Sequence, residues 1–210
     1  QEGVNLATAG GTVNVLAGAY TEQVLIGKAL QLLGAGKDVT TIVAPAVRTG
    51  TLTQSKVWDY IVAADASTGL IDVRIEGFTV DANGQPKTAG TDGLIGVFLR
   101  DVAGATAGLF DATVKGFGTT AYESWAVRAY GAASALTIAD NTLSDYTRDG
   151  IVVSEALATV SGNTLAGSAI PLNGISQHIH HGMLIELHGA LVGKGRQARI
   201  DGHLADEGDA

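Results

Sequence analysis

Three acidic residues and a histidine occupy the same kind of place in this chain. Asp92 in Thr91-Asp92-Gly93-Leu94-Ile95 and Asp149 in Arg148-Asp149-Gly150-Ile151-Val152 each precede a glycine and an apolar run. His181 does so in His180-His181-Gly182-Met183-Leu184, and Glu123 in Tyr122-Glu123-Ser124-Trp125-Ala126-Val127 fits the slot without the glycine. Two carboxylates about 5 Å or about 6.5–9.5 Å apart perform the acid/base work of glycoside hydrolysis. Like charges that close raise one pKa and set an acid beside a base. Residues this distant in sequence meet only if the fold stacks them. Asp-Gly is also ordinary turn chemistry ahead of a strand, so the same residues also read as turns alone.

Other side chains offer other chemistry. Tyr122, Trp125 and Tyr130 crowd one stretch and Tyr146 follows. Rings exposed on a rigid β surface stack on sugar faces; the alternative is that Trp125 and one tyrosine plug a core. The five histidines fall late, at His178, His180, His181, His188 and His203. In a strand His178 and His180 share a face and His181 points the other way. Two imidazoles without an identifiable third ligand read as a solvated edge, so no metal is assigned. Asp81-x-Asn83 is a two-ligand fragment short of a calcium loop. No cofactor is assigned.

The elements that must position these residues come from internal repetition. Val13, Val15 and Leu25 are followed 17 positions later by Leu30, Leu32 and Ile42. Gly69-Leu70-Ile71-Asp72 through Ile75-Glu76-Gly77-Phe78 recurs 39 positions on as Gly108-Leu109-Phe110-Asp111 through Val114-Lys115-Gly116-Phe117. Thr137-Ile138-Ala139-Asp140-Asn141-Thr142-Leu143 matches Thr159-Val160-Ser161-Gly162-Asn163-Thr164-Leu165 at a shift of 22, and Val114 to Ile138 is a shift of 24. Shifts of 22 and 24 suit one solenoid coil of three strands and three turns. The longer shift reads as a coil with a loop inserted at Asp81–Pro86. Asn141 and Asn163 are expected at stacked bends, where left-handed geometry is tolerated and the amides form a ladder at strand spacing, about 4.8 Å. Abundant glycine (29 residues) and few aromatics (5%) agree with many tight turns between β-branched runs.

Composition bounds the partners. The formal charge is -8, and the 13 Lys and Arg are scattered apart from Lys194, Arg196 and Arg199. A basic stripe is missing, so nucleic acid is not an expected partner. No apolar run approaches the roughly 20 residues that span a bilayer, so no membrane partner is expected either. Cysteine is absent, which removes disulfides and thiolate metal sites. The chain reads as one domain over 1–210, excised from a longer protein, with a cap at 1–10, coils over 11–204 and a tail at 205–210. Ala198–Leu204 reads as a severed coil, whose open edges predict self-association.

The opening order carries a family resemblance. Gly10-Gly11-Thr12-Val13-Asn14-Val15 is followed by Ala17–Glu22, Val24-Leu25-Ile26, Leu30–Gly36 and Thr41-Ile42-Val43. This resembles the N-terminal coils of the pectin-lyase-like superfamily, in its polysaccharide-active or uncharacterised secreted branches. The resemblance implies an all-β fold, a right-handed single-stranded parallel β-helix with a short N-terminal helical cap. It also implies an extracellular or cell-surface location. In the polygalacturonase-like branch an acidic residue precedes a Gly-Ile strand start on consecutive coils, with a His-Gly later. That pattern maps onto Asp92, Glu123, Asp149 and His181 as a catalytic column. The branch's paired Asp-Asp and Arg-x-Lys are absent, as are the methylesterase-like and lyase-like signatures.

Three functions follow as expectations. The first is non-catalytic or weakly catalytic polysaccharide recognition, with Tyr122, Trp125, Tyr130 and Tyr146 as sugar contacts. The second is a glycoside hydrolase using Glu123 and Asp149 with His181 assisting. The third is a structural spacer or adhesin shaft.

Overall fold

A computed structural model describes residues 1–53, 56–66, 69–117, 122–168, 181–186 and 199–201; the side chains of the last two stretches lie outside the description. The chain opens with a short helix, α1 (Glu2–Leu6), and then winds through repeated coils. The first coil is β1 (Gly11–Val15), β2 (Gly18–Thr21) and β3 (Val24–Ile26). The second is β4 (Leu30–Gly34), β5 (Thr40–Val43), β6 (Thr51–Thr53) and β7 (Val57–Asp65). Next come β8 (Val73–Glu76), β9 (Thr79–Asp81) and β10 (Gly93–Arg100), then β11 (Ala103–Phe110), β12 (Thr113–Lys115) and β13 (Ser124–Tyr130). The last are β14 (Ala135–Ala139), β15 (Thr142–Ser144) and β16 (Asp149–Ser154), then β17 (Leu157–Ser161), β18 (Thr164–Ala166), β19 (His181–Glu186) and β20 (Arg199–Asp201).

Successive strands of one coil enter three different sheets. The first sheet runs β1-β4-β8-β11-β14-β17-β20, the second β2-β5-β9-β12-β15-β18, and the third β3-β7-β10-β13-β16-β19. Among the described residues every coil-to-coil pairing is parallel, and β6 alone lies antiparallel, on β7. This is the expected all-β parallel β-helix.

The register explains the core. In the first sheet Val13, Leu32, Ile75, Leu109, Ile138 and Val160 stack in line. Tyr20, Ile42, Val80, Val114, Leu143 and Leu165 do so in the second, and Val24, Val62, Val97, Val127 and Ile151 in the third. Alternate residues point inward, so three columns, aliphatic apart from half-buried Tyr20 on the first coil, line one continuous interior. Each fully buried Leu, Ile or Val contributes about 1.5–3 kcal/mol from apolar burial.

Three of the four repeat shifts need correction. Val13 faces Leu32, not Leu30, and Leu25 lies in the third sheet while Ile42 lies in the second. Ile75 faces Leu109 rather than Val114, and Val114 faces Val80 and Leu143 rather than Ile138. The 39-residue match arises because two different corners use the same chemistry. Gly77 (φ 75°) leaves the first sheet and Gly116 (φ 76°) leaves the second, and each is followed by a phenylalanine plugged into the core. The 22-residue match is a true coil, with Thr137 on Thr159 and Leu143 on Leu165.

The asparagine ladder forms as expected, one residue off its expected bend. The left-handed residues at that corner are Gly77, Asp111, Asp140 and Gly162 (φ 41° to 75°), stacked coil on coil. Asn141 and Asn163 come next. Asn141 Oδ1 accepts from Ala112 N (2.9 Å), and Asn141 Nδ2 donates to Asn163 Oδ1 (2.8 Å) and Leu109 O (3.2 Å). Asn163 Oδ1 accepts from Asn141 N (3.0 Å) as well. The amides satisfy corner backbone groups that would otherwise be buried without partners.

Of the expected loop Asp81–Pro86, residues 82–86 lie in an inserted segment between β9 and β10, turning on Asn83 (φ 50°) and Gly84 (φ 65°), while Asp81 ends β9. A second insertion, between β5 and β7, carries β6. Of 198–204, the stretch expected as a further coil, only strand β20 is described; residues 202–210 lie outside the described residues.

Candidate functional site

The third sheet differs from the other two. Strands of the first and second sheets alternate buried positions with half-buried or exposed ones. In β7, β10, β13 and β16 almost every residue is buried, on both faces. Each strand bends at one rung: Ile61 and Val62, and Ala126 and Val127, are consecutive residues that both enter the interior. At that rung in β10, a Cβ on Gly96 would lie 2.5 Å from Val114 Cγ1 of the core. The outward positions on either side of the bend form a second apolar cluster of Leu52, Trp58, Tyr60, Ala63, Ile95, Phe98, Trp125 and Val152.

Two indoles organise this outer face. Trp58 on β7 and Trp125 on β13 are two coils apart, yet their rings meet edge to face at 4.9 Å. Gly93 on the intervening β10 makes this possible, because a Cβ there would sit 2.3 Å from Trp125 Cζ3. Cations cover the rings: Arg128 lies 4.9 Å and Lys56 5.8 Å from the Trp58 ring centre, and Arg148 lies 5.3 Å from that of Trp125. Such contacts are each worth about 0.5–2 kcal/mol. The indoles are 3% and 2% exposed, so a layer of long polar side chains overlies an aromatic floor. Trp125 Nε1 donates to Asp149 Oδ2 (2.8 Å), whereas Trp58 Nε1 has no hydrogen-bond partner among the described residues.

The four column residues are distributed as follows. Asp149 faces Trp125 on one side and the backbone of His181 on the other. The His181 side chain, like His178, His180, His188 and His203, lies outside the described residues. Glu123 precedes that rung by two residues, but Arg148 joins it to Asp149: Nη1 is 2.5 Å from Glu123 Oε2 and Nε is 3.5 Å from Asp149 Oδ2. Asp92 stands apart, with Oδ2 accepting from Val57 N (2.7 Å). Two of the carboxylates are thus brought together, but around a shared guanidinium. Asp149 is 1% exposed and its Oδ2 also takes the Trp125 indole proton, so this pair frames no cleft for a water.

The four aromatic candidates divide between two faces. Tyr122 and Tyr146 belong to the interior core, with the Tyr122 hydroxyl donating to Gln85 O (2.7 Å), so neither ring is presented outward. Trp125 lies on the outer face and half-buried Tyr130 packs at its edge. The expectation of one exposed ring platform is corrected by the register, because Tyr122 precedes the strand and turns inward at the corner. Trp58, Gly93, Arg128 and Arg148 were not singled out from sequence. The available signal was that Trp58 to Ala64 is apolar at every position but Asp59, the pattern of a strand buried on both sides.

Two ion pairs frame the face. Arg48 and Asp59 form a buried pair, with Nη2–Oδ2 2.8 Å. Arg100 pairs with Asp65 and donates from Nη1 to Thr53 O (2.8 Å), holding β6. The Tyr60 phenol is pushed above its ordinary pKa by burial and then by the Asp59 and Asp65 carboxylates. Among the described residues no three His, Cys, Asp or Glu are grouped to hold a metal ion. Asp81 Oδ1 is instead engaged by Asn83 N (2.7 Å).

No family model matches the chain, and no curated protein matches it. Among solved structures it is similar to a pectin methylesterase crystallised in complex with a hexasaccharide, at 13% identity and a TM-score of 0.32. The match covers 80% of this chain and 61% of that one, so this chain spans about three-fifths of that protein's length. A likeness this slight carries no functional argument; the β-helix itself rests on the sheet topology above.

Proposed function

We propose that this protein is a non-catalytic polysaccharide-recognition β-helix of a secreted or cell-surface protein, and that the outer face of the third sheet is its contact surface. The observation that carries the reading is the set of cations, Lys56, Arg128 and Arg148, that roofs the buried Trp58–Trp125 pair. Sugar hydroxyls are matched by forked donors, carboxylates and indole N–H groups over an apolar floor. These groups span the coils from β7 to β16, which stack at about 4.8 Å, so a linear polymer can lie along the axis.

The hydrolase reading is not favoured. Glu123 Oε2 and Asp149 Oδ2 both address Arg148, and Asp149 Oδ2 also accepts from Trp125, so the two carboxylates close on one shared guanidinium. A catalytic pair needs space between the carboxylates for substrate or water.

Affinity electrophoresis against soluble glucans, xylans and pectins tests the proposal, with Trp58→Phe and Glu123→Gln as variants. Retarded migration in one polysaccharide, weakened by Trp58→Phe and without release of reducing ends, is the expected result. Absence of retardation across the panel would sink recognition and leave the structural shaft. Reducing ends released by the native protein and lost in Glu123→Gln would establish the hydrolase instead.

A further inference from the structure

We infer that the polymer taken by the third-sheet face is a neutral polysaccharide, and that Glu123 is the specificity residue that keeps polyuronates off it, an assignment that rests on the recognition proposed above. An arginine captures a sugar carboxylate with its forked Nε–Nη2 edge, which meets both carboxylate oxygens at once. On this face such groups are already engaged from within the chain. Arg100 Nε donates to Asp65 Oδ1 (2.8 Å), Nη2 pairs with Asp65 Oδ2, and Nη1 donates to Thr53 O (2.8 Å). The register sets this pair, because Asp65 and Arg100 are facing residues of β7 and β10. Arg148 is held on two sides, by Glu123 Oε2 at Nη1 (2.5 Å) and by Asp149 Oδ2 at Nε (3.5 Å). Arg128, 9% exposed, lies over the Trp58 ring at 4.9 Å.

The carboxylates set the sign of the face. Two of them flank the single charge of Arg148, so that cluster is net negative. Asp92 adds an exposed carboxylate just ahead of β10. Lys56 is exposed and bonds no carboxylate among the described residues. One surface ammonium attracts a polyanion weakly, against a chain of formal charge -8. A uronate carboxylate only accepts hydrogen bonds, so beside Glu123 it meets another acceptor of like charge. A sugar hydroxyl both donates and accepts, so it bridges a guanidinium N–H and a carboxylate oxygen without breaking their pair. Glu123 is the reachable member of the cluster: its side chain is 17% exposed, against 2% for Asp149.

Isothermal titration calorimetry with soluble glucan, xylan and polygalacturonate, at about 20 mM and about 500 mM salt, tests this. The expected result is a neutral polymer bound with the same Kd at both salts, and polygalacturonate bound at least about tenfold more weakly. Glu123→Gln keeps the shape and removes the charge. It should tighten polygalacturonate binding about fivefold at low salt, and high salt should erase that gain. Circular dichroism melting checks that the variant is folded, and the comparison of polymers on the native chain does not depend on it. Polygalacturonate bound more tightly than every neutral polymer overturns the inference and leaves recognition standing. Binding of none of the polymers overturns both. A folded Glu123→Gln with unchanged affinity for polygalacturonate overturns the role given to Glu123.

Discussion

Removing the charge of Asp59 should release both insertions that flank the outer face. The Asp59 and Arg48 side chains are 0% and 1% exposed. Asp59 Oδ2 accepts from Arg48 Nη2 (2.8 Å), Thr88 N (2.7 Å) and Thr88 Oγ1 (2.8 Å), and Oδ1 accepts from Arg48 Nε (3.1 Å). Arg48 in turn donates to Pro45 O (2.7 Å) and Pro86 O. One pair thus ties the segment before β6 to the segment before β10. Asp59→Asn keeps the shape but strands a buried guanidinium, which costs about 3–5 kcal/mol. Its new amide also sets N–H against N–H at Thr88 or Arg48. Arg48→Met should cost a similar amount. The double variant Arg48→Met/Asp59→Leu removes both charges, so it should be less destabilised than the sum by about 2–3 kcal/mol. The orphaned Thr88 N–H and proline carbonyls keep it below the native protein. Urea unfolding followed by circular dichroism reads these differences, and hydrogen exchange at Lys87 and Thr88 reads the release. A loss under about 1 kcal/mol for Asp59→Asn would refute a buried, mutually dependent pair.

Asn141→Ala should cost about 1–3 kcal/mol and speed amide exchange at Ala112, whose N–H loses its acceptor; unchanged exchange there would remove the ladder from the account. Gly93→Ala should cost about 1–3 kcal/mol by overpacking, since the new Cβ meets Trp125 Cζ3 and, at 2.7 Å, Glu123 O. Tryptophan emission should shift with it, and a silent substitution would contradict the indole contact. Tyr60 sets an alkaline limit. Its folded pKa is raised, so its contribution is complete below the ordinary phenol value near 10 and is lost as pH climbs through the folded value. Tyr60→Phe should therefore show a smaller fall in urea midpoint between about pH 9 and about pH 11 than the native chain, and equal falls would count against it.

The sequence shows its coils where two adjacent coils have equal length and equal corners, as from Thr137 to Leu165. It misleads where insertions change coil length, because corner chemistry is the same at several corners. Gly77-Phe78 and Gly116-Phe117 look like one position repeated and are two. The acidic slots failed for a related reason. A motif before a strand start does not fix the rung, and Glu123 enters its strand two residues earlier than Asp149. Asp149 could be found from its setting, but its partner Arg148 was read only as flanking sequence. The indole pair was illegible because it needs three coils in register at once, with a glycine in the middle one.

The chain has two tryptophans, both on the outer face, so two indole N–H resonances report on the proposed contact surface directly. Titration of the ¹⁵N-labelled protein with a polysaccharide it retains should move the Trp58 resonance, whose ring lies beneath Lys56 and Arg128. The Trp125 resonance, held by Asp149, should move less. Saturating binding that leaves both indole signals in place would put recognition elsewhere on the solenoid and contradict the account.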